Sequence, residues 1–405
     1  MSELIFWLCI AAVAYNYVGY PLLLFVMSAC VQTKSDLLYL VRRHSRRRSR
    51  AGVKFPRVAV LVAAHNEETV IEAKVRNCLE IDYPADRVEF LMGLDAPTDS
   101  TAELLNRHAS ERLRVFNFAV RRGKLGVLCD LARRTSAEVL VLTDANTMLD
   151  RTAVRNLVRH FADPKVGAVS GEEIRVAAPG SEASAEGLYW RYESAVKILE
   201  SRLNCSLGGN GAALAVRRRL FSPREQSIVE DFQIPLEIRF QGYRVVYDPE
   251  AVAVEEIAPT WPAQFARRVR IGAGNYQTFF GHPEYLNPCK GFLAFAFFSH
   301  RVLRWLAPVF LPAAFVCGLL AAARPAFAVV TAAQCIFYLA AATGWWLKRH
   351  AKRLRWFSVP FHFCSMNVAL FLGLVRFLQG RQNLAWQPTP RRLGHAALNK
   401  AGGNS

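Results

Sequence analysis

The nine cysteines of this 405-residue chain include no Cys-x-x-Cys pair and no cysteine–histidine spacing of the kind that ligates zinc. Five of them, Cys9, Cys30, Cys317, Cys335 and Cys364, lie in apolar stretches, where a thiol is an ordinary small hydrophobic group. We therefore predict neither a zinc site nor a disulfide framework. The sequence also contains no apparent internal repeat.

Acidic residues are scarce relative to basic ones, at 33 against 51, so the formal net charge is +18. Such an excess is also typical of nucleic-acid binding. Here, however, much of it lies beside apolar runs, where basic residues favour cytoplasmic retention and attract anionic lipids. We therefore favour membrane flanking and predict no nucleic-acid partner. The residues concerned are Arg42, Arg43, Arg46, Arg47, Arg48 and Arg50, and then Lys348, Arg349, Lys352, Arg353 and Arg355.

No charged residue occurs between Glu3 and Lys34, a run long enough to cross a bilayer core of about 30 Å. The run is too long for a signal-peptide core and lacks an early basic region, so residues 1–33 are predicted to form an uncleaved transmembrane anchor. The arginines after it predict an outside N-terminus and a cytoplasmic domain.

Three further apolar segments, 306–323, 326–347 and roughly 357–375, predict C-terminal transmembrane helices within residues 301–380, followed by a tail, 381–405. Three spans after a cytoplasmic domain would put the C-terminus outside, whereas the arginines beyond position 375 favour the inside. Either the last segment is re-entrant or the charge rule fails here, and the sequence leaves both open.

Residues 55–260 have the pattern of a soluble α/β domain. Apolar runs at 58–62, 88–92, 113–116, 139–142 and 166–169 predict strands, and the stretches 69–79, 100–108 and 124–133 between them predict helices. Alternation at this spacing predicts a mostly parallel sheet with helices on both faces. The following segment, 261–300, combines aromatic residues with arginines. It is predicted to lie along the membrane surface as an amphipathic segment, with an ordinary helix packed on the soluble domain as the alternative.

Polar, carboxylate-bearing loops follow three of the predicted strands: 63–68 contains His65, Asn66 and Glu67, 93–101 contains Asp95, and 143–146 contains Asp144. Ligands of α/β sheets bind just beyond the carboxyl ends of the strands. Each loop alone is ordinary turn or cap chemistry, but three together predict a polar cleft.

The chain resembles the membrane-bound family 2 glycosyltransferases, a group that includes hyaluronan, chitin and cellulose synthases. The similar motifs span residues 60–271 in the family's order: Asn66-Glu67, the loop 95–101, Gly123-Lys124, Asp144-Ala145-Asn146, the glycine loop 208–211, Glu230-Asp231 and the segment 267–271. Ala96-Pro97-Thr98, Asn146 and Ile271 depart from the family's pattern. The resemblance implies a GT-A-like nucleotide-sugar-binding domain.

The resemblance also implies roles for these residues. Asp231, with Glu230, is the expected catalytic pair, with Asp231 as the general base that takes a proton from the acceptor hydroxyl. Gly209, Asn210, Gly211 and the aromatic Trp190 are expected to meet the acceptor. The expected nucleotide-sugar contacts are Asn66, Glu67, Asp95, Lys124, Asp144, Arg267, Arg268 and Arg270.

A divalent cation, Mg²⁺ or Mn²⁺, is expected because a carboxylate-held ion neutralises a leaving diphosphate. Asp144 is the expected ligand, together with Asn146, a carbonyl donor at a position where the family usually carries a carboxylate. Phosphate oxygens and water would then fill most of the coordination shell.

We thus predict an inverting glycosyltransferase that uses a nucleotide-sugar, with uracil as the expected base, and a lipid-linked or membrane-proximal glycan acceptor in surface-polysaccharide synthesis. The predicted location is the bacterial inner membrane, as a multi-pass protein with a cytoplasmic catalytic domain. A processive synthase with its own translocation path is an alternative, although Ile271 stands where processive enzymes carry tryptophan. A membrane-anchored nucleotide-binding protein without catalysis is a second alternative.

Overall fold

The computed structural model describes residues 1–42, 55–176, 184–223, 228–256, 260–350 and 355–380. The predicted tail, 381–405, and most of the arginine cluster after the first apolar run lie outside these residues. The described residues form two compact units. Residues 1–27, 184–196, 260–350 and 355–380 make what we call the apolar-helix unit, and residues 28–42, 55–176, 197–223 and 228–256 make the sheet unit.

The helices in chain order are α1 (Ser2–Ala14), α2 (Tyr20–Arg42), α3 (Ile71–Leu79), α4 (Thr101–Asn106), α5 (Gly123–Arg133), α6 (Ala153–Val158), α7 (Ser184–Arg202), α8 (Glu230–Phe240), α9 (Trp261–Gly281), α10 (Phe292–Ala296), α11 (Leu303–Leu320), α12 (Pro325–Arg349) and α13 (Arg355–Leu378). The strands are β1 (Val58–Ala64), β2 (Val88–Asp95), β3 (Leu113–Phe118), β4 (Val139–Leu142), β5 (Thr147–Leu149), β6 (Val166–Val176), β7 (Leu214–Arg217) and β8 (Arg244–Glu256). A π-helical turn, Tyr15–Gly19, joins α1 to α2, and another, Phe297–Val302, joins α10 to α11.

The eight strands form one mixed sheet in the order β3-β2-β1-β4-β7-β6-β8-β5. Strands β1 to β4 are parallel where they pair, and β6 is parallel to β8. Strand β7 is antiparallel to both its neighbours, and β5 is antiparallel to β8. All seven residues of β1 are buried, as expected for a continuous apolar run covered on both faces. The mostly parallel sheet predicted from the alternation is confirmed.

Alternate residues of β1 pack into two different hydrophobic clusters. Val58, Val60 and Val62 belong to a cluster with residues of α3 and α6. Ala59 and Leu61 belong to a second cluster with residues of α5 and α8. Because successive side chains of a strand point to opposite faces, helices cover both faces of the sheet, as predicted.

Among the described residues, four helical stretches are long and apolar enough to cross a membrane: Ser2–Leu38, Phe292–Leu320, Pro325–Arg349 and Trp356–Leu378. The apolar character of each of the four regions was predicted from the sequence. Helix α1 packs against α11, where Phe6 and Ala314 share a buried cluster with Phe327 of α12. Which side of a membrane each end occupies stays a prediction.

The second of these stretches begins at Phe292, inside the segment 261–300 that was predicted to lie along a surface. The start of this stretch was not predicted because polar residues interrupt the apolar sequence before position 306. Ser299 and His300 are each only 1% exposed, and Arg304 forms a buried ion pair with Glu193 of α7. Because Arg304 pairs with Glu193 and Ser299 Oγ lies 3.0 Å from the hydroxyl of Tyr15, the helix continues through these buried polar residues inside the protein.

Helix α9 packs against α13 through two glycines. A Cβ atom on Gly272 would lie 3.4 Å from the Cα of Leu370, and one on Gly373 would lie 2.8 Å from the backbone nitrogen of Ala273. The absence of side chains therefore lets the two backbones approach closely. An amphipathic position of α9 along a membrane surface stays a prediction.

Candidate active site

The predicted polar cleft begins at the ends of β1, β2 and β4. These strands are parallel, with β1 between the other two, so their carboxyl ends lie at one edge of the sheet. Beyond that edge, His65 Nδ1 lies 2.7 Å from the carbonyl oxygen of Asp95, and the backbone nitrogen of Thr143 donates to the carbonyl of Leu61. The three predicted loops are therefore neighbours, as the order of the strands requires.

Asn66 and Glu67 join the loop after β1 to the loop after β2. Asn66 has a positive φ of 52°, and its Oδ1 accepts a hydrogen bond from the backbone nitrogen of Thr98 at 2.8 Å. Glu67 is 1% exposed, and its backbone nitrogen donates to Thr101 Oγ1 at 2.8 Å. Both residues shape the edge of the cleft, and their contact with a nucleotide stays a prediction.

Asp95 holds the start of α5. Its Oδ1 accepts from the backbone nitrogen of Arg122 at 2.7 Å, and its Oδ2 accepts from that of Gly123 at 3.0 Å. Gly123 has a φ of 76°, a left-handed conformation that glycine adopts without steric cost. The carboxylate therefore fixes the turn from which Lys124 projects, whereas the predicted contact with the nucleoside stays a prediction.

Lys124 is the centre of the site. Its Nζ lies 2.6 Å from Asp144 Oδ1, in the loop after β4, and 2.5 Å from Glu230 Oε1, at the start of α8. Burial alone would lower the pKa of Lys124, but the carboxylates of Asp144 and Glu230 outweigh that effect and raise it. The ammonium group therefore keeps its charge at neutral pH, between two carboxylates.

Gly211 brings the glycine loop against this centre. A Cβ atom there would lie 3.2 Å from Lys124 Nζ, 3.6 Å from Asp144 Oδ2 and 3.7 Å from the Cβ of Asp231. Gly209 is tied to the same place, because its backbone nitrogen donates to the carbonyl of Asp231 at 3.0 Å. Bare backbone therefore borders the predicted catalytic pair, as expected where a ligand must approach closely.

Asn210 makes three hydrogen bonds within the sheet unit. Its Nδ2 donates to the carbonyl of Gly171 at 2.6 Å, its Oδ1 accepts from the backbone nitrogen of Ala213, and its own backbone nitrogen donates to Ser170 Oγ. The side chain thus anchors the glycine loop between β6 and β7. Contact of Gly209, Asn210 or Gly211 with an acceptor stays a prediction.

Asp144 and Asn146, the expected metal ligands, offer one carboxylate and one amide. The side chain of Asp144 is 23% exposed, and Asn146 Nδ2 donates to Glu255 Oε1 at 2.9 Å. Because the amide nitrogen is taken, the remaining donor of Asn146 is its oxygen, and oxygen donors suit Mg²⁺ and Mn²⁺. No cluster of three or more His, Cys, Asp or Glu side chains suited to a metal occurs among the described residues, so the protein donors fit an ion that keeps phosphate and water ligands.

Lys74 is a member of the site that the sequence analysis missed. It is fully buried in α3, and its Nζ donates to Thr143 Oγ1 at 3.1 Å and to the carbonyl of Thr147 at 2.6 Å, on either side of Asp144. Burial lowers its pKa, while Cys78 and Asp144 act in the opposite direction. The sequence did carry a signal, because Lys74 stands with Ile71, Val75 and Cys78 on the apolar stripe of an amphipathic helix.

Four of the predicted binding residues belong to the apolar-helix unit. Trp190 lies in α7, where its ring meets that of Tyr189 edge to face at 5.6 Å. Arg267, Arg268 and Arg270 lie in the first half of α9 and are partly exposed. Their predicted contacts with the acceptor and the diphosphate stay predictions.

Comparison with known proteins identifies relatives. A family model described as Glycosyltransferase like family 2 matches residues 56–274. The beta-monoglucosyldiacylglycerol synthase of Synechocystis sp. is 28% identical over 275 residues, which are 63% of this chain and 56% of that protein. The poly-beta-1,6-N-acetyl-D-glucosamine synthase of Staphylococcus aureus is 26% identical over 232 residues, 54% of this chain and 55% of that protein. The matches thus span little more than half the length of these relatives.

A solved structure has a similar fold. The mannosyltransferase PcManGT from Pyrobaculum calidifontis, in complex with GDP-Man and Mn²⁺, matches with a TM-score of 0.66 and 24% sequence identity. The match covers 94% of this chain and 100% of that one. Together with the family match, it confirms the predicted GT-A-like fold.

Proposed function

Because the chain belongs to the family Glycosyltransferase like family 2, we propose that it is an inverting enzyme that transfers a sugar from a nucleotide-sugar to a lipid-linked or membrane-proximal glycan acceptor. The observation that carries this proposal is the position of Lys124, between Asp144 and Glu230 and beside the bare backbone of Gly211. A diphosphate needs a fixed cation and close backbone approach, and both meet there next to Asp231.

Lys124 has the first role in the reaction. When a nucleotide-sugar binds, the ammonium of Lys124 exchanges part of its contact with the two carboxylates for a contact with a diphosphate oxygen, because charge-assisted hydrogen bonds to phosphate are strong. Asp95, through the turn at Arg122 and Gly123, holds the ammonium in place. A cation fixed in advance stabilises the charge that develops as the glycosidic bond breaks.

Asp144 and the amide oxygen of Asn146 are the residues that would hold a divalent cation. When bound, such a cation neutralises the diphosphate and improves it as a leaving group. The family match and the Mn²⁺ in the mannosyltransferase complex support a divalent cation, Mg²⁺ or Mn²⁺, here. Lys74 supports the loop from behind by holding Thr143 and Thr147.

Asp231 is the proposed general base. It takes the proton of the acceptor hydroxyl while that oxygen forms a bond to the anomeric carbon, and the bond to the diphosphate breaks with its electron pair leaving on the phosphate oxygen. Attack from the face opposite the leaving group inverts the configuration. Glu230 is less suited to this role, because its carboxylate is held by Lys124, which stabilises its charged form.

The four apolar helices, and the glucosyldiacylglycerol and polysaccharide products named for the two relatives, support an acceptor at a membrane. We place the chain in the bacterial inner membrane with the sheet unit in the cytoplasm, where nucleotide-sugars are made. Ile271, which is 36% exposed on α9, favours single transfer over processive synthesis, since the resembling processive enzymes carry tryptophan there.

The test is nucleotide release by the full chain in lipid nanodiscs, from a panel of UDP- and GDP-sugars with Mn²⁺ or Mg²⁺ and a membrane extract as acceptor. We expect release from one donor, dependent on metal and abolished in Asp144→Ala. Asp86→Asn, a change at an exposed surface carboxylate, is the matched control and should release nucleotide like the wild type. Binding of nucleotide without release from any donor would instead support the non-catalytic alternative.

A further inference from the structure

Asn146 and Glu255 form a buried pair at the edge of the proposed metal site. The two residues are 109 positions apart in the sequence, they are 8% and 5% exposed, and Asn146 Nδ2 donates to Glu255 Oε1 at 2.9 Å. The pair exists because β5 and β8 are antiparallel in a register that sets Thr147, the residue after Asn146, opposite Glu255.

The chemistry of the pair fixes the orientation of the amide. A carboxylate oxygen accepts hydrogen bonds, so the NH₂ group of Asn146 must face Glu255 and its oxygen must face away. The backbone of the next residue is held as well, by the β5–β8 pairing and by Lys74, which donates to the carbonyl of Thr147. Asn146 therefore presents one defined oxygen.

We propose that Glu255 is a positioning residue that directs the Asn146 oxygen towards the metal. Glu255 also supplies, as the hydrogen-bond partner of Asn146, the negative charge that the family's motif carries at position 146. This inference rests on the proposed function. A carboxylate that accepts from the N–H of a metal ligand orients it and makes it a better donor. The pair also explains the asparagine, since an aspartate at position 146 would set a second carboxylate against Glu255, and like charges at that distance repel.

The chain offers a matched control in Glu256. It is the next residue of β8 and is 4% exposed, so it is as buried as Glu255. Because successive strand residues point to opposite faces, its side chain points away from the one that meets Asn146. Glu256→Gln therefore removes a buried carboxylate from the same strand without touching the pair.

The experiment measures Mn²⁺ affinity directly, by the electron paramagnetic resonance signal of free Mn²⁺, with the full chain in nanodiscs and UDP or GDP present. We expect Glu255→Gln to weaken Mn²⁺ binding about ten-fold or more, as loss of such partners does. Glu256→Gln should stay within about twofold of the wild type, because it lies outside the pair.

Asn146→Asp gives the sharper result. With Glu255 in place we expect Mn²⁺ binding to weaken about ten-fold. In Asn146→Asp/Glu255→Gln the glutamine amide donates to the new carboxylate. The pair then again contains one negative charge and one hydrogen bond, as in the wild type. The coupling between contacting residues should then bring affinity back to within about threefold of the wild type.

Each outcome decides the inference. Asn146→Asp binding Mn²⁺ as tightly as the wild type with Glu255 present, or Glu255→Gln behaving like Glu256→Gln, would overturn it while leaving the proposed function intact. A wild type that binds no Mn²⁺ with either nucleotide and shows no metal-dependent release would overturn both. If Glu255→Gln alone melts at a lower temperature, the double variant, in which the pair is rebuilt, still decides the question.

Discussion

Lys124 and Asp144 are joined by a 2.6 Å ion pair that links the first turn of α5 to the loop after β4. Lys124 also contacts Glu230, so one ammonium holds together the start of α5, the start of α8 and the loop after β4. The pair places a charged nitrogen at the position where the proposed reaction needs to neutralise a diphosphate. Removal of the Lys124 ammonium should therefore weaken donor binding more than it destabilises the fold.

Replacing Lys124 with methionine keeps most of the side-chain volume and removes the charge. We expect nucleotide affinity to fall by about ten- to a hundred-fold, the equivalent of about 1.5–3 kcal/mol for a hydrogen bond to a charged group. Lys124→Arg should retain part of the affinity, because the charge remains while its geometry changes. Titration calorimetry with UDP and GDP measures the effect, and equal affinities of wild type and Lys124→Met would rule out the assigned role.

Alanine at Gly211 should damage activity and spare stability. The new Cβ would lie 3.2 Å from Lys124 Nζ, the far end of a long side chain, so the ammonium is displaced while the backbone stays. Sugar transfer should fall by about ten-fold or more, since misplacement of a positioned group is costly. The melting temperature should change little.

Gly93→Ala is the matched comparison for Gly211→Ala. Its Cβ would lie 2.3 Å from Val127 Cγ1, between β2 and α5, where the core leaves no room. Overpacking of this kind costs about 1–3 kcal/mol, so the melting temperature should fall clearly below that of Gly211→Ala. The reverse order of the two melting temperatures would contradict the described packing around Lys124.

Asp95→Ala should lower both the stability of the protein and its affinity for the donor. The change leaves the backbone N–H groups of Arg122 and Gly123 without their acceptors, which costs about 1–3 kcal/mol. Because the same turn carries Lys124, nucleotide affinity should fall as well. Thermal unfolding and calorimetry on one preparation measure both effects, and a loss of stability with unchanged affinity would show that the turn does not position the lysine.

Because the carboxylate of Asp248 is buried and paired, we expect the difference in stability between the wild type and Asp248→Asn to depend on pH. Burial alone would raise its pKa, but hydrogen bonds from His160 and the backbone of Glu250, with the charge of Arg159, lower it below its usual value. The stabilisation is therefore complete above the unfolded pKa of about 3.9 and disappears as the pH falls through the lower folded value.

Asp248→Asn should accordingly lower the free energy of unfolding by about 2–3 kcal/mol at neutral pH. This is somewhat less than the cost of breaking a fully buried pair, because Arg159 is partly exposed. The deficit relative to the wild type should shrink below about pH 4. Glu250→Gln removes the exposed partner of Arg159 and should cost less than about 0.5 kcal/mol. Unfolding of the wild type and both variants, measured from pH 3 to pH 8, checks this prediction, and a deficit that grows as the pH falls would contradict the assignment.

The sheet and the cleft were largely predictable because their signals are local. The run 58–64 is apolar at every position, which identifies a strand buried on both faces, and Asp95 and Asp144 follow strands whose parallel order brings them to one edge. Strands β5, β7 and β8 were not predicted. The three-residue β5 has no pattern of its own, and it exists because Thr147, Met148 and Leu149 pair with β8.

The remaining parts of the site depend on contacts distant in the sequence. In the sequence Glu255 is simply one of two adjacent acidic residues. The antiparallel register sets it opposite Thr147, where the side chain of Asn146 donates to it. Lys74 reads as a charged interruption of an apolar stripe until the loop around Asp144 is seen to cover it. The start of the apolar stretch at Phe292 was not predicted for the same reason, since the charge of Arg304 is paired with Glu193 on another helix.

Sugar transfer by Asp231→Asn, measured together with the affinity of this variant for donor and Mn²⁺, tests the proposed role of Asp231 as the general base. We expect both affinities to remain within about threefold of the wild type, because Asp231 is not assigned to donor or metal binding. Transfer should fall by about a hundred-fold or more, the effect of removing a general base. Transfer by Asp231→Asn at the wild-type rate would rule out Asp231 as the general base. So would a loss of transfer in Glu230→Gln, with donor binding intact, while Asp231→Asn remains active.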